Sequence, residues 1–221
     1  VLNRVFGVPI TAVMERPWEG GTLPGALAAL INWLNSHECW TTKGIFRCSG
    51  SHEAVTALKD LLDTEINCAV PEDADVVVVA EVLKIYLQEL PVPLVPPRLL
   101  RNFINAASLA DEARIKHYLT ALIAALPSVH REALYCLLRL LRSVHDNRET
   151  SSMASQNLSI CFGPLVFQPA DSDISEYIHH TKYCSLAVKH MIEMIDALFL
   201  KNARPIQTST ACSSYSPTTP E

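Results

Sequence analysis

The segment Lys43-Gly44-Ile45-Phe46-Arg47-Cys48-Ser49-Gly50 places one arginine between an apolar pair and a small, turn-prone Ser-Gly ahead of the next periodic run. A guanidinium on a short loop fixed at both ends is suited to meet phosphate oxygens on another molecule, because its planar fork bridges two acceptors and stays charged. The same residues equally describe an exposed arginine in an ordinary interhelical loop. Other chemistries lack their residues. The sequence has no GxxxxGK[ST] or GxGxxG loop and seven glycines in all, so a nucleotide site built by this chain itself is not expected. HExxH and GxSxG are also absent, and the eight histidines are dispersed except for His179-His180, which argues against a zinc site or a serine-hydrolase nucleophile.

The elements that must carry Arg47 read as helices. Leu23, Leu27, Leu30, Ile31 and Leu34 line one helical face, with Thr22 as the expected N-cap and Pro24 in the first turn. Ser51 precedes a second run, Val55, Leu58, Leu61 and Leu62. Val76-Val77-Val78-Val79 has strand propensity but continues without a turn into AEVLKIYLQEL, where Val79, Val82, Leu83, Tyr86 and Leu87 share a helical face, so a buried helix ending at Pro91-Val92-Pro93 is predicted. Further helices are predicted over 113–125, 130–143 and 175–200, with a short one over 155–161 that stops at Phe162-Gly163-Pro164. No alternating strand with a hairpin turn stands out, and the fold class is all-α.

The chain has 221 residues, 49% hydrophobic and 19% charged, a composition that supports one buried core and excludes a disordered or collagenous chain. Its net charge of −5, with basic residues scattered, argues against a long nucleic-acid track. Seven cysteines with no CxxC pair suggest reduced, mostly buried thiols in a cytosolic protein. No run of 18 apolar residues occurs, and the opening Val1-Leu2-Asn3-Arg4 has no secretory-signal layout and looks like a cut from a longer chain. Residues 5–202 are expected to form the folded unit, and 203–221, rich in Pro, Ser and Thr, a disordered linker or tail.

Five blocks in order resemble the RhoGAP domain, the module that accelerates GTP hydrolysis by Rho-family small GTPases. They are Phe6-Gly7-Val8-Pro9-Ile10, KGIFRCSG (43–50), VLKIYLQELPVPL (82–94), Leu126-Pro127 before a long helix, and MASQNLSICFGPLVF (153–167). The resemblance implies a single helical-bundle domain that supplies a catalytic residue in trans and is not an enzyme by itself. Arg47 falls on the family's arginine finger. Lys84 falls on a lysine that supports the interface, its ammonium expected to reach outward over the core edge. Asn157 falls on an asparagine expected to hydrogen-bond the GTPase switch region. Pro164 falls in the same block as a structural residue that fixes the following chain. The implied partner is a Rho-, Rac- or Cdc42-type GTPase, which brings GTP and Mg²⁺, so no cofactor is expected on this chain. A monomeric domain of a larger cytoplasmic protein, recruited to membrane or cytoskeleton by other domains, fits the resemblance.

Two positions depart from the family pattern. Gln88 stands where the family usually has arginine, four residues after Lys84 and so on the same helical face. Ser151-Ser152-Met153 stands where Asn-Lys-Met is usual, removing a second cation. Both changes give weight to an alternative, a GTPase-binding scaffold with weak or no activation. A helical adaptor for peptides or lipids is the remaining class.

Overall fold

The computed structural model describes residues 4–17, 19–64, 69–168 and 174–199, and these contain helices and no strand. The helices are α1 (Ile10–Met14), α2 (Gly25–Ser36), α3 (His52–Thr64), α4 (Val76–Gln88), α5 (Pro97–Ala107), α6 (Glu112–Ala124), α7 (Ser128–Asp146), α8 (Arg148–Ser151), α9 (Ser155–Val166), α10 (Ile174–Glu193) and α11 (Ile195–Phe199), with a 3₁₀ turn at Cys39–Thr41. They form one all-α bundle. The predicted tail, 203–221, lies outside the described residues.

Helix starts are set by oxygens that satisfy orphan amides. The amide of Val77 donates to Asp75 Oδ1 at 2.7 Å at the head of α4, which turns the four-valine run into helix. The amides of Ala113 and Arg114 donate to Asp111 Oδ1 at the head of α6, and the amide of Ala54 donates to Ser51 Oγ at the head of α3. For α2 the expected Thr22 cap is replaced. Pro24 stands at the N-cap, and the Gly25 amide donates to Glu19 Oε2 at 2.9 Å. A carboxylate from the preceding loop offers a charged acceptor where the helix dipole is positive, so it takes the place a nearer hydroxyl was expected to fill.

Two predicted boundaries move. α9 does not stop at Phe162-Gly163-Pro164 but runs through Pro164 to Val166, with the Phe167 amide donating to Gly163 O at 3.0 Å. Pro164 removes the amide that would have met Ile160 O, so the helix gives up one bond there and continues. The predicted helix over 175–200 is interrupted at Met194, whose carbonyl accepts from both Ala197 and Leu198.

Packing follows from the apolar faces. α4 lies against α2, α3 and α9, while α10 lies against α5, α7 and α9. Aromatic edges lock the layers together: Phe6 on Tyr86 at 5.3 Å, Phe103 on Phe167 at 5.4 Å, and Phe46 on Phe162 at 5.0 Å, all with their rings buried. The N-terminal segment is pinned by Asp63, whose Oδ1 accepts from the amides of Val5 and Phe6. Of the cysteines, Cys39, Cys136 and Cys184 are buried and free, Cys161 is half-buried and Cys48 exposed. Burial pushes the Cys39 and Cys136 thiols up to about 12 and Cys184 to about 11, which leaves them inert. Cys68 and Cys212 lie outside the described residues. Among the described residues no helix is long and apolar enough to cross a membrane.

Candidate functional site

Arg47 is exposed directly after two buried residues. Ile45 and Phe46 are buried, and the Phe46 ring stands edge-on to Phe162 of α9. The backbone closes on itself: the amides of Arg47 and Cys48 both donate to Gly44 O, at 3.0 and 3.1 Å, and that of Ile45 to Thr42 O at 3.3 Å. Gly44 takes a φ of +75° that favours glycine, and Phe46 takes 66°. The loop's far end is fixed by close approach, since a Cβ on Gly50 would lie 2.8 Å from Val78 Cγ2 of α4. The guanidinium therefore leaves a rigid base.

The loop is tied to the segment before α9. The amide of Gly44 donates to the carbonyl of Ser151 at 2.7 Å. Ser151 is fully buried, its Oγ donating to Val144 O and accepting from the Met153 amide. Ser152 follows in the left-handed region at φ 58°, exposed, and its carbonyl accepts from Asn157 Nδ2 at 3.2 Å. One run of bonds thus connects the arginine loop to Asn157, which is exposed on the first turns of α9. The Ser155 amide at the head of that helix donates to His145 Nδ1 at 3.0 Å, and Ser155 Oγ donates to Glu193 Oε1 at 2.7 Å.

Cys161 lies one turn beyond Asn157, on the same face of α9. Burial raises its thiol pKa, while the positive charges of Lys84 and Arg47 pull the other way. With α4 packed on α9, the lysine of α4 and the loop arginine lie near Cys161, one turn from Asn157. Gln88 is exposed one turn beyond Lys84, at the end of α4, where Gln168 Nε2 donates to the carbonyls of Leu87 and Gln88 at 2.8 and 3.1 Å. Pro164 is half-buried inside α9 and offers no polar atom to the face.

Lys84 departs from its expected outward reach. Its side chain is 18% exposed, and Nζ lies 2.8 Å from Glu81 Oε2 one turn back, Glu81 itself being 22% exposed. The i, i+3 spacing of a glutamate and a lysine on a predicted helix is the signal that would have located this pair. A second residue not picked out beforehand is Ile160, 58% exposed on the same side of α9 as Asn157.

Comparison with known proteins identifies the family and the fold. The model of the RhoGAP domain matches residues 24–171. Rho GTPase-activating protein 7 of Canis lupus familiaris is 31% identical over 165 residues, covering 75% of this chain and 15% of that protein. Rho GTPase-activating protein gacY of Dictyostelium discoideum is 29% identical over 196 residues, covering 88% of this chain and 27% of that protein. The chain thus spans only a small part of the length of either relative. Among solved structures, human Rho GTPase activating protein 15 shares the fold, with a TM-score of 0.81 at 24% identity over 89% of this chain and 92% of that one.

Proposed function

The chain belongs to the RhoGAP domain family, and from that premise we propose that residues 5–202 form a domain that binds a GTP-loaded Rho-, Rac- or Cdc42-type GTPase and speeds its hydrolysis with Arg47. The observation that carries this reading is the presentation of Arg47: an exposed guanidinium on a loop held by buried Ile45 and Phe46, by Gly44 and by Gly50. Phosphoryl transfer needs little covalent help from a protein and much charge placed in advance. An arginine supplied from outside the nucleotide pocket offsets charge on the γ-phosphoryl oxygens as it develops, and its fork spans two of them. A finger of this kind is worth about 10³–10⁵ in rate, or about 4–7 kcal/mol of transition-state stabilisation. The GTPase brings GTP, Mg²⁺ and the residue that orients water, so this chain contributes one charge and a docking face. On that face Asn157 offers a donor and an acceptor to the partner's switch backbone, and Lys84 a cation.

Single-turnover GTP hydrolysis by Rho, Rac and Cdc42, each with no addition, with the domain and with Arg47→Ala, tests the reading. We expect acceleration by the unmodified domain on at least one GTPase and its loss, by orders of magnitude, with Arg47→Ala. A stable complex without acceleration would favour the scaffold reading, to which the uncharged Gln88 and Ser152 lend weight.

A further inference from the structure

We infer that Glu81 is a built-in competitor for Lys84, holding its ammonium inward and thereby setting how tightly the domain grips its partner. This rests on the activator reading above and adds a residue that tunes the docking face. Lys84 Nζ and Glu81 Oε2 are 2.8 Å apart on one helix. Glu81 Oε2 is buried and has no hydrogen-bond partner, so the nearby ammonium is what offsets its charge. A carboxylate oxygen in that position retains its cation, because withdrawal of the ammonium leaves an uncompensated charge in a poorly solvated place. For Lys84 to meet an acceptor on another protein, Nζ must either leave Glu81 bare or draw the acceptor into the field of the carboxylate. Both weaken association. Donor and acceptor sit on adjacent turns of a capped helix, so a rotamer change is enough to release the lysine.

The test uses Glu81→Gln, which keeps the side chain's size and removes its charge. Rho, Rac and Cdc42 loaded with GDP and aluminium fluoride are titrated with wild-type domain, Glu81→Gln, Lys84→Ala and the double variant. We expect Glu81→Gln to bind about 3–10-fold more tightly than wild type. In GTP hydrolysis the half-saturating domain concentration falls by the same factor, while the rate at saturation does not change. In the Lys84→Ala background the gain disappears, as a coupled pair requires. Glu81→Asp, which withdraws the carboxylate by one methylene, gives a smaller gain and serves as the check if the glutamine variant folds poorly. Equal or weaker binding by both Glu81 variants, beside a wild type that binds, overturns the inference and leaves the activator reading standing. So does a gain that survives Lys84→Ala. Capture by neither wild type nor Glu81→Gln on any of the three GTPases removes the activator reading and this inference with it.

Discussion

Phe46 and Arg47 are chain neighbours with opposite surroundings, and the contrast separates holding the site from acting at it. Phe46 adopts a φ of 66° although it is a bulky residue, a conformation that costs about 1–2 kcal/mol. Burial of its ring against Phe162 outweighs that cost and aims the next residue outward. Phe46→Ala removes the anchor while keeping the strained backbone, and we expect a loss of about 3–5 kcal/mol in denaturant unfolding, together with lost activation. Arg47→Ala touches no core contact and should leave the unfolding midpoint within about 0.5 kcal/mol of wild type while activation collapses. Equal destabilisation by the two variants would mean that the guanidinium is part of the fold. At this scale the sequence singled out Arg47, Lys84 and Asn157 as candidates through their motif blocks. It did not show Glu81 on Lys84, because the family pattern directs attention to the cation and a rotamer decides its partner.

The helix α9 carries Asn157, Cys161 and Ile160, and its position depends on one close approach. A Cβ on Gly163 would lie 2.9 Å from Ser185 Oγ and 3.1 and 3.2 Å from the Cα and N of Ser185 on α10. Backbone atoms of a packed helix do not yield as a flexible side chain does. Gly163→Ala is therefore expected to destabilise by about 1–3 kcal/mol despite alanine's better helix propensity, read as a lower midpoint in chemical unfolding. A stabilised variant would show that α10 can move away. The sequence reading took this glycine and Pro164 as a stop signal, which is the usual meaning of the pair, but packing against α10 decided otherwise. The long periodic helices were legible because their apolar spacing is unbroken. α5 was not, since its face of Leu99, Leu100, Phe103, Ile104 and Ala107 follows directly on Pro96-Pro97, which close a proline-rich stretch after α4, and is interleaved with arginine and asparagine. The helix cap at Gly25 also escaped, as a glutamate six residues upstream has no sequence rule to announce it.

Across the whole molecule, three histidines make stability depend on pH in one direction. Burial lowers the pKa of His130, His145 and His190 below the ordinary value of 6.5, with nearby Arg148 adding to the effect at His145 and Lys189 at His190. Two of them are tied to junctions: His130 Nδ1 meets the Leu94 carbonyl after α4 and His145 Nδ1 accepts the Ser155 amide at the head of α9, while His190 lies in α10. A histidine with a depressed folded pKa binds fewer protons folded than unfolded between the two values, so stability rises with pH through that window. It is fully present above about 6.5 and is lost as pH falls through the folded values. Ordinary carboxylates titrate near 4, well below the start of this loss. Thermal unfolding followed from pH 8 to 5.5 should therefore show a plateau and then a decline of about 2–5 °C. At His145 protonation has a local cost as well, because an imidazolium cannot accept the Ser155 amide, and the first turn of α9 loses its acceptor just before Asn157. His145→Asn, which retains an acceptor oxygen and does not titrate, should flatten the decline. A midpoint that rises on acidification would mean that these histidines gain protons on folding, contrary to their burial.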